Sequence, residues 1–312
     1  MNTLVVALGG NALQEQSRPA TAESQLEVVR QTAARVAELA RENRLLVVHG
    51  NGPQVGRLVL QNEYAAPITP AMPFDVCGAM SQGLIGYHLQ QALSEAMAER
   101  GIGKSAVTVL TQVVVDADDP GFRHPTKPIG PFYTREEAER IAREKGYAMK
   151  EDAGRGWRRV VASPQPVEIV ELEAIRALAD AGFVPVCVGG GGIPVLRGED
   201  GLLTGTAAVI DKDLAAERLA EDAGAALLVI LTAVDRVCIH YNRNGQRELA
   251  RMSAAEAEGY LADGHFAPGS MGPKVEAAVR FVRSGPGRRC IITSLEHAQA
   301  ALRGEAGTEV TA

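Results

Sequence analysis

Three apolar runs of this chain stop at glycine. VVALGGNAL supplies Gly9, Gly10 and Asn11, VVHGNGP supplies Gly50, Asn51 and Gly52, and VCVGGGG supplies glycines 189–192, with Gly190 and Gly191 at its centre. Glycine there frees the backbone for close approach, and a strand running through such a loop into a helix cradles phosphate or another anion. One glycine pair fits any tight turn; three at equivalent strand ends mark the carboxyl edge of an α/β sheet as the ligand side. The first loop carries no cation, because the first basic residue is Arg18 and Ala7 and Leu8 occupy the strand end. Two lysines open helical patterns elsewhere. AVIDKDLA places Lys212 between Asp211 and Asp213, and GSMGPKVEAA places Lys274 after Ser270, Met271, Gly272 and Pro273. A helix start favours anions, so a lysine there reads either as the partner of a bound anion or as a solvated first-turn residue.

Other chemistries fit less well. GNGPQVG approaches GxGxxG, but a dinucleotide fold needs an acidic strand end ~20 residues later, where proline-rich AAPITPAMPFD stands. GxxxxGK[ST], GxSxG and HExxH are absent. His49 reads as a base or as a histidine hydrogen-bonded beside its loop. Cys77, Cys187, Cys238 and Cys290 are scattered without CxxC spacing, which argues against a zinc site or a disulfide framework.

The elements that must hold these loops alternate. Residues 3–8 read as a strand. Residues 22–43 read as a helix with Leu26, Val29, Ala33, Val36 and Ala40 on one face, and 75–100 as a long helix closed by Gly101. AVTVLTQVVVD reads as one long buried strand, and FVPVCV, ALLVILT and RCIITS as further strands beside helices. Continuous apolar strands separated by helices predict a mainly parallel sheet covered on both faces. Residues 120–166 interrupt the pattern with proline, glycine and charge. They contain a capping box at Thr134 and Glu137, a stop at Gly146, and a hairpin around EDAGRGWRRVV. Such an excursion is a lid over a site or an inert surface flap.

With 312 residues, 46% of them apolar, the chain can bury a large core as one large α/β domain or two smaller ones. A net charge of −6 with interspersed signs leaves no basic stripe for nucleic acid. No apolar run reaches the ~18 residues of a membrane span. No positive segment precedes the first apolar run, so a cytosolic chain without a secretory signal is expected.

Taken in order, VVALGGNAL, HGNGPQVG, PTKPIGPF, KEDAGRGWRRVV, GGGGIPV, AVIDKDLA and HFAPGSMGPK resemble the carbamate kinases, of the amino-acid-kinase fold. The resemblance runs through nearly the whole chain, and PTKPIGPF and EDAGRGW are its discriminating motifs. It implies a single domain over 1–312, a three-layer αβα sandwich with a mainly parallel central sheet, and a small protruding lid subdomain at 120–166. It also implies a cytoplasmic homodimer that moves phosphoryl groups between ATP and carbamate, giving ADP and carbamoyl phosphate, with Mg²⁺ held mainly by the nucleotide. By the resemblance, Gly9, Gly10, Asn11, Gly50, Asn51 and Gly52 surround carbamate and the phosphoryl group. Gly190, Gly191, Ser270, Met271, Lys212 and Lys274 face the nucleotide, and Asp213 orients the lysines. Sister kinases place a lysine at the position of Ala7; here Lys127 of PTKP takes that task. Two rivals share the fold: a kinase for another carboxylate, and a nucleotide-binding sensor without catalysis.

Overall fold

The computed structural model describes residues 2–15, 17–152 and 154–312. The strand Asn2–Leu8 is central in an eight-stranded sheet. On one side follow Leu227–Thr232, Arg289–Ser294, Thr308–Thr311 and Arg251–Ser253; on the other, Asn43–His49, Val184–Val186 and Ala106–Thr108. The pairings are parallel except that between Arg289–Ser294 and Thr308–Thr311.

Strand side chains alternate between faces, and both faces are apolar. Val5, Ala7, Leu46, Val48, Leu228 and Ile230 meet the helices Leu172–Asp180, Lys212–Asp222 and Met271–Arg283. Leu4, Val6, Leu8, Leu45, Val47 and Val229 meet Ala22–Val36 and Phe74–Glu99. The result is the expected three-layer αβα sandwich.

Two expected elements differ. The first helix ends at Val36 and tightens to a 3₁₀ turn, Ala37–Ala40. The long strand AVTVLTQVVVD is two short ones in different sheets. Val109 N–H donates to Val186 O (2.9 Å), ending its run in the main sheet. Thr111 N–H then donates to the Gln82 side chain (2.8 Å), and Gln112–Val114 joins a second sheet with Ile193–Arg197, Leu203–Gly205 and Glu168–Ile169. A side-chain hook from a distant helix leaves no mark on local periodicity.

Within 120–166, Lys127–Tyr133, Trp157–Val161 and Met149–Glu151 form a three-stranded antiparallel sheet. The capping box of the helix Arg135–Lys145 forms, and Gly146 closes it with φ of 68°. The hairpin forms as expected, except that Ala153 lies outside the described residues. This small sheet rests on the helix Gly52–Ala65. Ile129 is buried with Val55, Cys77, Val161 and Val209. A Cβ on Gly56 would stand 2.1 Å from the Gly130 Cα, so Gly56 must be glycine for this approach, while Gly130 needs glycine for its φ of 71°. Glu63 accepts from Lys145 (2.6 Å), Arg159 (3.3 Å) and Tyr147 at the same seam.

Candidate active site

Register places the loops side by side. Leu8 lies opposite Leu231 on one flank and His49 on the other, so the chain leaves three adjacent parallel strands at the same edge. A cavity of about 920 Å³ opens there. Gly9, Gly10, Asn11, Gly50, Asn51 and Gly52 line one part, Gly190, Ser270, Lys212, Asp213 and Lys274 another, and Lys127 reaches in from the lid sheet.

Local chemistry fixes each loop. Thr32 Oγ1 donates to Ala12 O (2.7 Å) behind the first one. A Cβ on Gly9 would lie 2.8 Å from Leu231 O, whereas Gly10 faces open space. The helix Gly52–Ala65 starts without a side-chain cap, which leaves first-turn amides for an anion.

The lysines share two carboxylates. Asp213 accepts from Lys212 Nζ (2.6 Å) at Oδ1 and from Lys274 Nζ (2.8 Å) at Oδ2. Asp211 accepts from Lys127 Nζ (2.5 Å) at Oδ2, while its Oδ1 caps the helix Lys212–Asp222 through Asp213 N–H (2.8 Å). Three ammonium groups against two carboxylates leave one positive charge facing the cavity, suited to an anion. Burial opposes charge throughout the cluster. It brings Lys212 down to about 8, with Lys274 adding to the effect and Asp213 resisting it. Burial would raise Asp213, but the two lysines hold it well below the usual carboxylate range. Burial would likewise lower Lys274, and Asp213 reverses this so that it rises.

Not every expected residue reaches the cavity. Gly191 and Met271 lie off its wall. Gly191 turns against Ile210, whose carbonyl would be 2.3 Å from an added Cβ, and Met271 packs on the core. The glycine run is spent largely on protein contacts: Gly189 lies under the His49 ring, Gly190 under the Asn51 amide, and Gly192 against Val113. Val188 before it adopts φ of 51°, a strained conformation for a β-branched residue, held by Thr111 and Gln82. His49 is fully buried, and burial lowers it to about 4, so it is neutral, with Nδ1 2.9 Å from Gly50 O. It is a structural histidine.

Other lining residues escaped sequence reasoning. Asp211 had a signal, since acidic residues bracket Lys212, but the resemblance gives a role only to Asp213. Arg155 lies at the hairpin between Met149–Glu151 and Trp157–Val161, and Gln54 in the first turn of its helix. Both sit inside motifs quoted above, EDAGRGW and HGNGPQVG, in which the glycines rather than the arginine or the glutamine carry the reading.

Comparison with known proteins agrees with this geometry. Residues 2–294 match the amino acid kinase family. The chain is 56% identical to a carbamate kinase of Clostridium perfringens over 98% of its length and 99% of the relative's. Two solved structures of carbamate kinase from Giardia lamblia, each 43% identical, cover 99% of this chain and 98% of their own. The one bound to citric acid superposes with a TM-score of 0.94, and the one bound to AMP-PNP with 0.89. The chain belongs to the amino acid kinase family. Within it, the chain groups with the carbamate kinases.

Proposed function

We propose that the chain transfers a phosphoryl group reversibly between ATP and carbamate, in line and without a covalent enzyme intermediate. The observation that carries this reading is the convergence of Lys127, Lys212 and Lys274 on one cavity that the glycine loops also line. Phosphoryl transfer asks little covalent chemistry of a protein and much positioning of charge. Carbamate is itself nucleophilic, so no general base is required, and the neutral, buried His49 is not one. Lys212 and Lys274, fixed by Asp213, bind nucleotide phosphates from the helix starts. Lys127 leaves Asp211 to meet the phosphoryl group in flight, supplying the cation that the Gly9-Gly10-Asn11 loop lacks.

Mg²⁺ is read as arriving on the nucleotide phosphates, where it neutralises their oxygens. Asp211 and Asp213 are already engaged by lysines, and among the described residues no three His, Cys, Asp or Glu side chains converge on a metal position. This suits a metal carried by the substrate.

A homodimer is supported by exposed apolar side chains: Val76, Met80, Leu84 and Tyr87 share one face of the helix Phe74–Glu99, and Leu60 and Tyr64 lie on the helix Gly52–Ala65. A second copy of the chain covers this face, and mass in solution by light scattering checks this. Gly83 and Leu84 lie on that exposed face. Gly86 turns inward, where an added Cβ would stand 2.3 Å from Thr108. Among the described residues no helix is long and apolar enough to cross a membrane, and a cytoplasmic location rests on the family resemblance.

The deciding experiment is ATP formation from ADP and carbamoyl phosphate, set against acetyl phosphate. Turnover with carbamoyl phosphate is expected to dominate. Equal or greater turnover with acetyl phosphate would favour a kinase for another carboxylate, and no turnover with either would favour the sensor.

A further inference from the structure

The turn at 188–192 is wedged between the two halves of the site. A Cβ on Gly190 would stand 2.2 Å from Asn51 Nδ2, in the second glycine loop. One on Gly191 would stand 2.3 Å from Ile210 O, at the root of the 211–213 segment that carries Lys212 and its two carboxylates. The turn therefore sets how far apart those two segments lie. Four of its residues have positive φ: Val188 (51°), Gly190 (66°), Gly191 (91°) and Gly192 (94°). Of these only Val188 has a Cβ that resists the conformation. Its side chain is fully buried in the main core, so packing keeps a valine where the backbone favours a glycine. Side chains resolve that conflict. Val188 N–H donates to Thr111 Oγ1 (2.9 Å). Gln82 Nε2 donates to Gly189 O (2.9 Å) and to Thr111 O (3.0 Å), and Gln82 Oε1 accepts from Thr111 N–H (2.8 Å). Gln82 thus grips the turn directly and also orients the threonine that holds Val188.

We infer that Gln82 is a positioning residue for phosphoryl transfer: by holding Val188 in its strained conformation it keeps Asn51 and the 211–213 segment at the spacing that transfer needs. This rests on the phosphoryl-transfer reading above and adds to it the residue that aligns the two walls. Gln82 is 2% exposed, both ends of its amide are engaged by protein, and neither it, Thr111 nor Val188 lines the cavity, so it acts only through the turn. Each wall has supports of its own. Asn51 Nδ2 donates to Ser81 Oγ (2.8 Å), and Lys212 and Lys274 are fixed by Asp213. Losing the grip of Gln82 therefore leaves each wall in being and disturbs their relative placement. Transfer between two bound groups is sensitive to that placement, since a misplacement of about 1 Å can cost about 10²-fold in rate. ADP binding engages the lysine wall and is affected little.

The test is Gln82→Met, which keeps length and volume but removes all three hydrogen bonds. In ATP formation from ADP and carbamoyl phosphate, kcat should fall about 10- to 100-fold. ADP affinity, measured separately, should change by less than about threefold. The distinguishing measurement adds Val188→Gly, which removes the Cβ that resists the turn but also empties core volume. In the Gln82→Met background it should bring kcat back to within about threefold of the native value while lowering the melting temperature further. A merely structural role moves both readouts together, so the double variant would then be slower as well as less stable. If Gln82→Met does not fold, Thr111→Val and Thr111→Ser decide. The valine removes the acceptor for Val188 N–H and should lower kcat in the same way; the serine keeps that acceptor and should not. An unchanged kcat, a loss of ADP affinity as large as the loss of kcat, a double variant no faster than Gln82→Met, or equal kcat in the two Thr111 variants would overturn the role of Gln82 and leave the function standing. A native protein that forms no ATP from carbamoyl phosphate would overturn the function, and this inference with it.

Discussion

The nucleotide wall and the lid sheet bring lysines to the same cavity in different ways. Lys212 and Lys274 start helices whose inner faces, Leu214 to Ala220 and Val275 to Val282, are built into the main core. Their shared carboxylate, Asp213, is only 3% exposed. Lys127 rides on a three-stranded sheet whose apolar contact with the body is one small cluster around Ile129 and one glycine–glycine crossing. Its carboxylate, Asp211, belongs to the body rather than to the lid. Charges that hold a ground-state ligand are thus anchored in dense packing, where side chains have little freedom. The charge assigned to the moving phosphoryl group sits on the thinly anchored element. Binding and catalysis should therefore separate by region.

Lys127→Ala gives the sharpest test of that division. Losing a charge that acts mainly in the transition state is expected to cost about 3–4 kcal/mol, or roughly 10²–10³ in kcat, with ADP affinity nearly intact. The mirror variant Lys274→Ala should weaken ADP affinity along with turnover, by about tenfold or more. If the two variants give the same ratio of kcat loss to affinity loss, the regional division is wrong.

A smaller effect is expected at the joint between the regions. Gly56→Ala drives a methyl group into the Gly130 backbone and should displace the strand Lys127–Tyr133. A fall in kcat of about tenfold is expected, with ADP affinity unmoved. The melting temperature should change little, because the main core is untouched; calorimetry beside steady-state kinetics checks both. A large drop in melting temperature would show that the lid sheet is part of the body's cooperative unit.

The mildest probe is pH. Burial lowers Lys212 to about 8, so in the free protein its charge is lost as pH rises through that value. ATP formation followed as kcat/KM should decline above about pH 8. Bound phosphates favour the ammonium form, so the decline in kcat should lie at higher pH. For stability the sign is the reverse. The unfolded chain holds this proton to about 10.5, so Lys212 makes the fold more stable as pH rises from about 8 to about 10.5. A Lys212→Arg variant that keeps the same kcat/KM limb would remove Lys212 as its source.

Much of this was legible in the sequence, because the informative features are local. Apolar runs ending in glycine gave the parallel strands and their ligand edge. The capping box at Thr134 and Glu137 and the stop at Gly146 gave the lid helix. The lysines at helix starts gave half of the charge cluster, and family motifs rather than spacing gave Lys127. What stayed hidden depends on contacts distant in sequence. The break at Thr111 needs Gln82, and the pairing of Lys127 with Asp211 spans 84 residues. The glycine run looked like a ligand loop because glycine does not say which neighbour comes close. Here the neighbours are His49, Asn51 and Ile210.

The Asp211 carboxylate faces two ways: one oxygen holds the amide of Asp213 and the other holds the ammonium of Lys127. In the empty protein it is a resting place for the third lysine. Lys127 is therefore not left bare beside Lys212 and Lys274, where like charges would push the lid away. On the mechanism proposed above, an incoming phosphate exchanges places with a carboxylate rather than recruiting a cation from solvent. After transfer the same exchange runs backward, and Asp211 competes with the product for Lys127. On that mechanism, strengthening the grip of Asp211 on Lys127 is expected to speed release at the expense of the chemical step.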